Sequence, residues 1–198
     1  MESAIRVEAY RGEGVRKYIP AIAQLRMEVF REYPFLYIGD EEYEKKYLEK
    51  FVTSKEAVVV VAWKGSEIIG VSTGLPFIEE SESLHEPFEK LRLPVKDFFY
   101  FGESVLQKKY RGLGIGHQFF LLREAHARSL GRYKYICFCT VKRPSDDPRR
   151  PEDYRPLAPF WQSKGFSEHP ELIAMYPWQE IGEKEESLKE MVFWIKKL

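Results

Sequence analysis

Apolar and polar positions alternate over residues 5–11 until Gly12 and Gly14 interrupt, which predicts a short first strand. Ile19, Ile22, Leu25 and Val29 then recur at helical spacing, with Pro20 near the start, where its missing N–H costs nothing, and Pro34 beyond the end. Tyr43, Tyr47 and Phe51 mark a second amphipathic helix after a turn at Gly39-Asp40. Two β-prone runs, residues 56–63 and 67–75, flank Lys64-Gly65 and read as a hairpin. Residues 79–93 are polar, contain Pro87, and predict an irregular connection with room for one short helix. A strongly aromatic strand follows at 97–106. Next comes a helix at 114–130, with Ile115, Phe119, Leu122 and Ala125 on its apolar face and Gly131 as its stop. Residues 133–141 form another strand, 157–164 a short helix ended by Gly165, and 171–177 and 191–196 two closing strands.

This order of seven strands and four helices predicts an α/β (α+β) sandwich around a mixed sheet. At 198 residues, with no repeat or linker, the chain reads as a single domain over residues 1–198. Lys+Arg and Asp+Glu both number 31, so the basic excess of a nucleic-acid-binding domain is missing, and nucleic acid is set aside as a partner. No signal peptide is visible at the N-terminus, and the longest clean apolar run, 57–63, is far too short for a membrane span. Cys137 and Cys139, one residue apart on a strand, share a face but are badly placed for a mutual disulfide, so reduced thiols and a cytoplasmic location are expected. His85, His117, His126 and His169 lack the spacing of a metal site, and no metal is expected.

Candidate chemistry concentrates in residues 97–120, which run strand, basic turn, glycine-rich turn, helix. Gly112, Gly114 and Gly116 clear side chains from a sharp entry into the helix, so backbone N–H groups and the helix N-terminus can converge on an anion. Lys108, Lys109 and Arg111 supply full charges, a combination suited to a diphosphate. Gly116 is followed by His117-Gln118, not the Lys-Ser/Thr of a P-loop, and the glycine spacing is not that of a dinucleotide fingerprint. The spacing of Arg111, Gly114 and Gly116 resembles the Arg/Gln-x-x-Gly-x-Gly/Ala signature of the GNAT superfamily of N-acetyltransferases. Residues 157–166, with the pair Phe160-Trp161 before Gly165-Phe166, resemble a later motif of the same superfamily.

That resemblance implies a GNAT fold, with a twisted, mostly antiparallel sheet of about seven strands splayed between the fourth and fifth. It implies acetyl-CoA as acyl donor, with Arg111, Gly112, Leu113, Gly114, Ile115, Gly116 and His117 on its pyrophosphate. Ser104, Val105 and Leu106 would offer backbone groups to the pantetheine arm, and Phe160 and Trp161 would pack around it. The acceptor would be a primary amine of a small molecule or peptide, and the protein a monomer or homodimer. Acyl transfer needs a base to deprotonate the ammonium, and Glu103, beside the thioester segment and lodged among Phe99 and Phe101, is the candidate. Asp97, on the same face by alternation, is the reserve. The phenol that the family uses as an acid corresponds to Trp161, whose indole cannot serve, so Tyr154, Cys139 or a water is left for that role.

The proline-rich segment 143–156 reads either as a lid that pairs a substrate carboxylate with Arg150 or Arg155, or as a solvated loop stapled by Arg–Asp pairs. Beside acetyl transfer stands a second class of function, a non-catalytic acyl-CoA-binding sensor or interaction module.

Overall fold

The computed structural model describes residues 4–198. Strand β1 (Ile5–Tyr10) leads through a single helical turn, α1 (Glu13–Arg16), to helices α2 (Ile19–Phe30) and α3 (Glu41–Thr53). The α3 start is fixed by Asp40, whose Oδ1 accepts from the Tyr43 N–H at 2.7 Å. Strands β2 (Val58–Lys64) and β3 (Glu67–Pro76) form the expected hairpin. Helix α4 (Glu82–Lys90) precedes β4 (Phe98–Leu106), α5 (Ile115–Ser129), β5 (Tyr135–Val141), α6 (Ala158–Ser163), β6 (Ser167–Trp178) and β7 (Ser187–Lys197).

Three local expectations need correction. The connection at 79–93 is mostly helical despite Pro87, because Leu84, Pro87 and Phe88 bury one face of α4. On α5, Ala125 is exposed, and the buried stripe runs through Ile115, Phe119, Phe120, Arg123, His126 and Ala127. Strand β6 begins before residue 171, since Pro170-Glu171-Leu172 bulge out between the paired positions His169 and Ile173 and spoil the alternation.

The seven strands form one sheet in the order β1-β2-β3-β4-β5-β7-β6, antiparallel everywhere except between β4 and β5. One face packs against α2, α3 and α4 through Ile22, Leu48, Phe51, Phe77, Phe88 and Tyr100. The opposite face packs against α5 and α6 through Phe99, Phe101, Phe119, Phe120, Phe138 and Trp194.

Two irregularities place the site. The parallel pairing of β4 with β5 covers only Phe98–Tyr100 against Tyr135–Cys137, and beyond Tyr100 the strands part. On the other side of β4 the register with β3 shifts, from Phe101 opposite Gly74 to Ser104 opposite Ser72. Gly102 and Glu103 therefore share one partner position, a bulge. A Cβ on Gly102 would lie 2.5 Å from Thr73 Oγ1, so the close approach there requires glycine.

Candidate functional site

The open end of the β4–β5 splay leads through a tight helical turn at 108–110 to the start of α5. Gly112 and Gly114 both lie in the left-handed region, at φ of 81° and 80°, and a Cβ on either would meet nothing within 4 Å. The cradle is therefore shaped by backbone and opens onto free space. The first bond of α5 runs from Gln118 N–H to Gly114 O, and no side chain caps the helix. The N–H groups of Ile115, Gly116 and His117 are thus left as donors at the positive end of a 15-residue helix. Ile115 is buried and anchors this end, Leu113 is exposed, and Phe160 approaches the Cβ position of Gly116 to 3.9 Å. His117 is in hydrogen-bond contact with Lys164.

The basic flank is held by acids. Arg111 donates from Nε to Leu106 O at 3.1 Å and pairs with Glu32 at 2.8 Å, while Lys108 pairs with Asp153 at 2.9 Å. These pairs are solvent-exposed and worth about 0–1 kcal/mol each, so an incoming anion would displace them at little cost. A diphosphate thus fits this end of α5, in backbone donors, charge and room.

The bulge decides where Glu103 points. Phe99 and Phe101 face α5, whereas Gly102 and Glu103 both face α2 and α3, so Glu103 does not lie among the two rings. Asp97 sits in the short turn just before β4, at the end of the strand away from Glu103, paired with Lys134 at 2.7 Å. The Glu103 side chain is 2% exposed and pairs with Arg26 of α2 at 2.5 Å, while Tyr47 Oη donates to it at 3.2 Å. Arg26 also donates to buried Glu44 at 2.5 Å and lies 4.4 Å from the Tyr47 ring centroid. Burial opposes the Arg26 charge, but Glu103, Tyr47 and Glu44 more than restore it and hold the guanidinium well above its ordinary value. The second oxygen of Glu103, Oε1, is buried with no hydrogen-bond partner among the described residues.

Ser104 and Leu106 face α5, and Val105 is buried toward α2. Trp161 packs 5.1 Å from both the Phe138 and Trp194 rings, and Phe160 lies edge-on to Phe120 at 5.4 Å. Tyr154 meets Tyr33 edge to face at 4.7 Å, and burial, followed by the Tyr33 neighbour, pushes its phenol upward, so it stays protonated at neutral pH. Burial likewise pushes the Cys139 thiol up to about 12, beside Tyr100 Oη at 3.1 Å, and both cysteines are free.

Several residues of the site carry no motif in the sequence. Glu180, itself buried, accepts from Arg143 and, at 2.6 Å, from Arg149, and Arg143 also donates to Pro34 O at 2.8 Å. The loop at 143–156 is therefore stapled by Arg–Asp and Arg–Glu pairs, and its Tyr154 and Asp153 are brought to the cradle's rim. Arg150 donates to Ser145 O at 3.4 Å, and Arg155 makes no ion pair among the described residues. Arg26 and Arg123, both buried, look in sequence like ordinary helix-surface arginines.

By sequence, no family model and no curated protein matches the chain. By structure, it is similar to an acetyltransferase of the GNAT family from Streptococcus pneumoniae, at TM-score 0.60 and 12% identity, over 98% of this chain and 100% of the other. It is equally similar to the ribosomal-protein-alanine N-acetyltransferase of Brucella melitensis, at TM-score 0.60 and 17% identity over 98% and 99%. YncA of Salmonella typhimurium, solved with its cofactor acetyl-CoA, matches at TM-score 0.60 and 12% identity over 98% and 94%. The chain has the GNAT fold, as the mixed seven-stranded sheet and its parallel, splayed β4–β5 pair require.

Proposed function

We propose that this chain is an N-acetyltransferase that moves an acetyl group from acetyl-CoA to a primary amine of a small molecule or peptide, by direct attack in a ternary complex. The observation that carries this reading is the continuity of two features: β4 parts from β5 after Tyr100, and its free edge leads directly to the uncapped, glycine-entered start of α5. Acetyl-CoA supplies an acyl group already activated as a thioester. Arg111, Gly112, Leu113, Gly114, Ile115, Gly116 and His117 hold its diphosphate, chiefly through the free N–H groups of the first helical turn. Backbone groups of Ser104, Val105 and Leu106 line the splay, where a fixed N–H can meet the thioester oxygen. Phe160 and Trp161 form the apolar wall on the α6 side. Glu103 takes the proton from the acceptor ammonium, directly or through a water, through Oε1, which has no hydrogen-bond partner among the described residues. Tyr154 is a protonated donor at the rim of the same opening.

Binding of acetyl-CoA is the first test: saturating cofactor should raise the melting temperature, as a ligand specific for the native state must. No shift, together with no heat of binding by calorimetry, overturns the reading. A screen of amines for acceptor-dependent release of free thiol then tests transfer. The Arg26–Glu103 pair favours a second reading, a non-catalytic acyl-CoA-binding module, because it engages one oxygen of the would-be base. Binding without thiol release in the presence of any amine is its signature.

A further inference from the structure

Arg123 is 1% exposed, yet no carboxylate contacts it among the described residues, and the Glu103 carboxylate supports its charge only through space. A buried charge without a counter-ion is costly unless its donors are all engaged and its field is used. Its donors are engaged by neutral acceptors. Nε donates to Phe119 O at 3.3 Å, and Nη1 donates to Thr73 O at 3.0 Å and Glu103 O at 3.1 Å, carbonyls at the β4 bulge. Its Nη2 is spent differently, on the hydroxyl of Ser104 at 2.7 Å. The guanidinium also lies 4.1 Å from the Phe101 ring centroid, and burial lowers it to about 9, which leaves it charged at neutral pH.

Holding the bulge accounts for Nη1 but not for Nη2. Ser104 is an exposed residue on the α5 face of β4, beyond the point where β5 has left, and its Oγ makes no other hydrogen bond among the described residues. With one lone pair taken by a cation, the hydroxyl proton is polarised and free to be given to something in the splay.

The geometry points to Ser104 as a further catalytic residue, whose hydroxyl donates to the sulfur of CoA as the thioester is cleaved, and to Arg123 as the positioning residue that holds and polarises it. This rests on the acetyl-transfer reading above. As the amine nitrogen bonds to the acyl carbon, the carbon–sulfur bond breaks and its electron pair remains on sulfur. The ammonium gives one proton to Glu103 before attack, the nitrogen gives its second proton to solvent as the carbon–sulfur bond breaks, and the sulfur leaves as a thiolate that solvent protonates after release. A thiol titrates near 8.5 (about one to two pH units above neutrality), so a fixed donor backed by a full charge suffices, and no phenol is needed where Trp161 stands.

The test uses CoA itself bound to the whole chain, following the ultraviolet absorbance of its thiolate against pH. Bound to the native protein, the thiol should titrate at least about one pH unit below free CoA, a tenfold shift in its ionisation constant. Ser104→Ala should return it to the free value, and Ser104→Thr, which keeps the hydroxyl, should preserve the shift. Arg123→Gln, if circular dichroism shows it folded, should lose the shift as Ser104→Ala does; the Ser104 pair decides alone if it does not fold. A bound thiol that titrates with free CoA in the native protein, or identically in Ser104→Ala, overturns this inference and leaves acetyl transfer standing. Failure of the native chain to bind CoA overturns both.

Discussion

Replacing Gly114 with aspartate separates the stability of the cradle from its purpose. Gly114 sits at φ 80°, ψ −2°, and a Cβ there meets nothing within 4 Å, so the only folding cost is the left-handed backbone, about 1 kcal/mol for a residue as tolerant as Asp. A carboxylate at a helix N-terminus recovers about 0.3–1 kcal/mol of that. For a chain of this size the melting temperature should therefore fall by no more than about 4 °C. Binding is affected far more. The new charge lies where the diphosphate would sit, and two unit charges about 4 Å apart repel by about 4 kcal/mol at a surface-like dielectric. The carboxylate also competes for the N–H groups of Ile115, Gly116 and His117. The dissociation constant for acetyl-CoA, measured by titration calorimetry beside a thermal melt, should rise at least about 10³-fold. Gly114→Asn carries the same backbone cost without the charge and should lose about tenfold or less. A folded Gly114→Asp protein that binds acetyl-CoA as the native chain does would refute the placement of the cradle.

Other expectations follow from the same geometry. Glu103→Gln keeps the contacts to Arg26 and Tyr47 but cannot accept a proton, so turnover with a working acceptor should drop about 10²–10⁴-fold with cofactor affinity unchanged; an unaltered rate would make Glu103 purely a partner of Arg26. Trp161→Phe retains an apolar ring against Phe138 and Trp194, so most turnover should survive with the main change in cofactor affinity, and a collapse of the rate at saturating cofactor would contradict the wall role. Asp147 is held down to about 2 by its bonds to Arg149, so its contribution to stability is full above its ordinary value of 3.8 and is lost as pH falls through about 2. The melting-temperature gap between native protein and Asp147→Asn should accordingly narrow below pH 4 (about its ordinary range) and close near 2, and a gap constant with pH would refute it.

Element order was legible in the sequence because its signals are local: alternation in β2 and β3, helical spacing in α2 and α3, glycines at the entry and exit of α5. The cradle was legible for the same reason, since a strand, a basic turn and glycines that must take positive φ are consecutive residues. Where an extra residue enters a strand, that logic fails. The bulge at Gly102-Glu103 reverses the face of everything after it, so alternation assigned Glu103 to the rings of Phe99 and Phe101 when it in fact faces Arg26 and Tyr47. The insertion at 170–172 hid the start of β6 in the same way. Long-range partners were equally out of reach. Arg26, Arg123 and Glu180 have charged side chains that a sequence reading leaves in solvent, and each is buried only because residues distant in the chain supply its partners: Glu103 for Arg26, Thr73 and Ser104 for Arg123, Arg143 and Arg149 for Glu180. The sequence by itself determined most of the elements and the glycine-entered turn before α5, since propensity and backbone chirality act over a few residues. Only the tertiary structure decided which charges are buried and which way β4 presents its side chains, because desolvation and strand register depend on what the rest of the fold brings alongside.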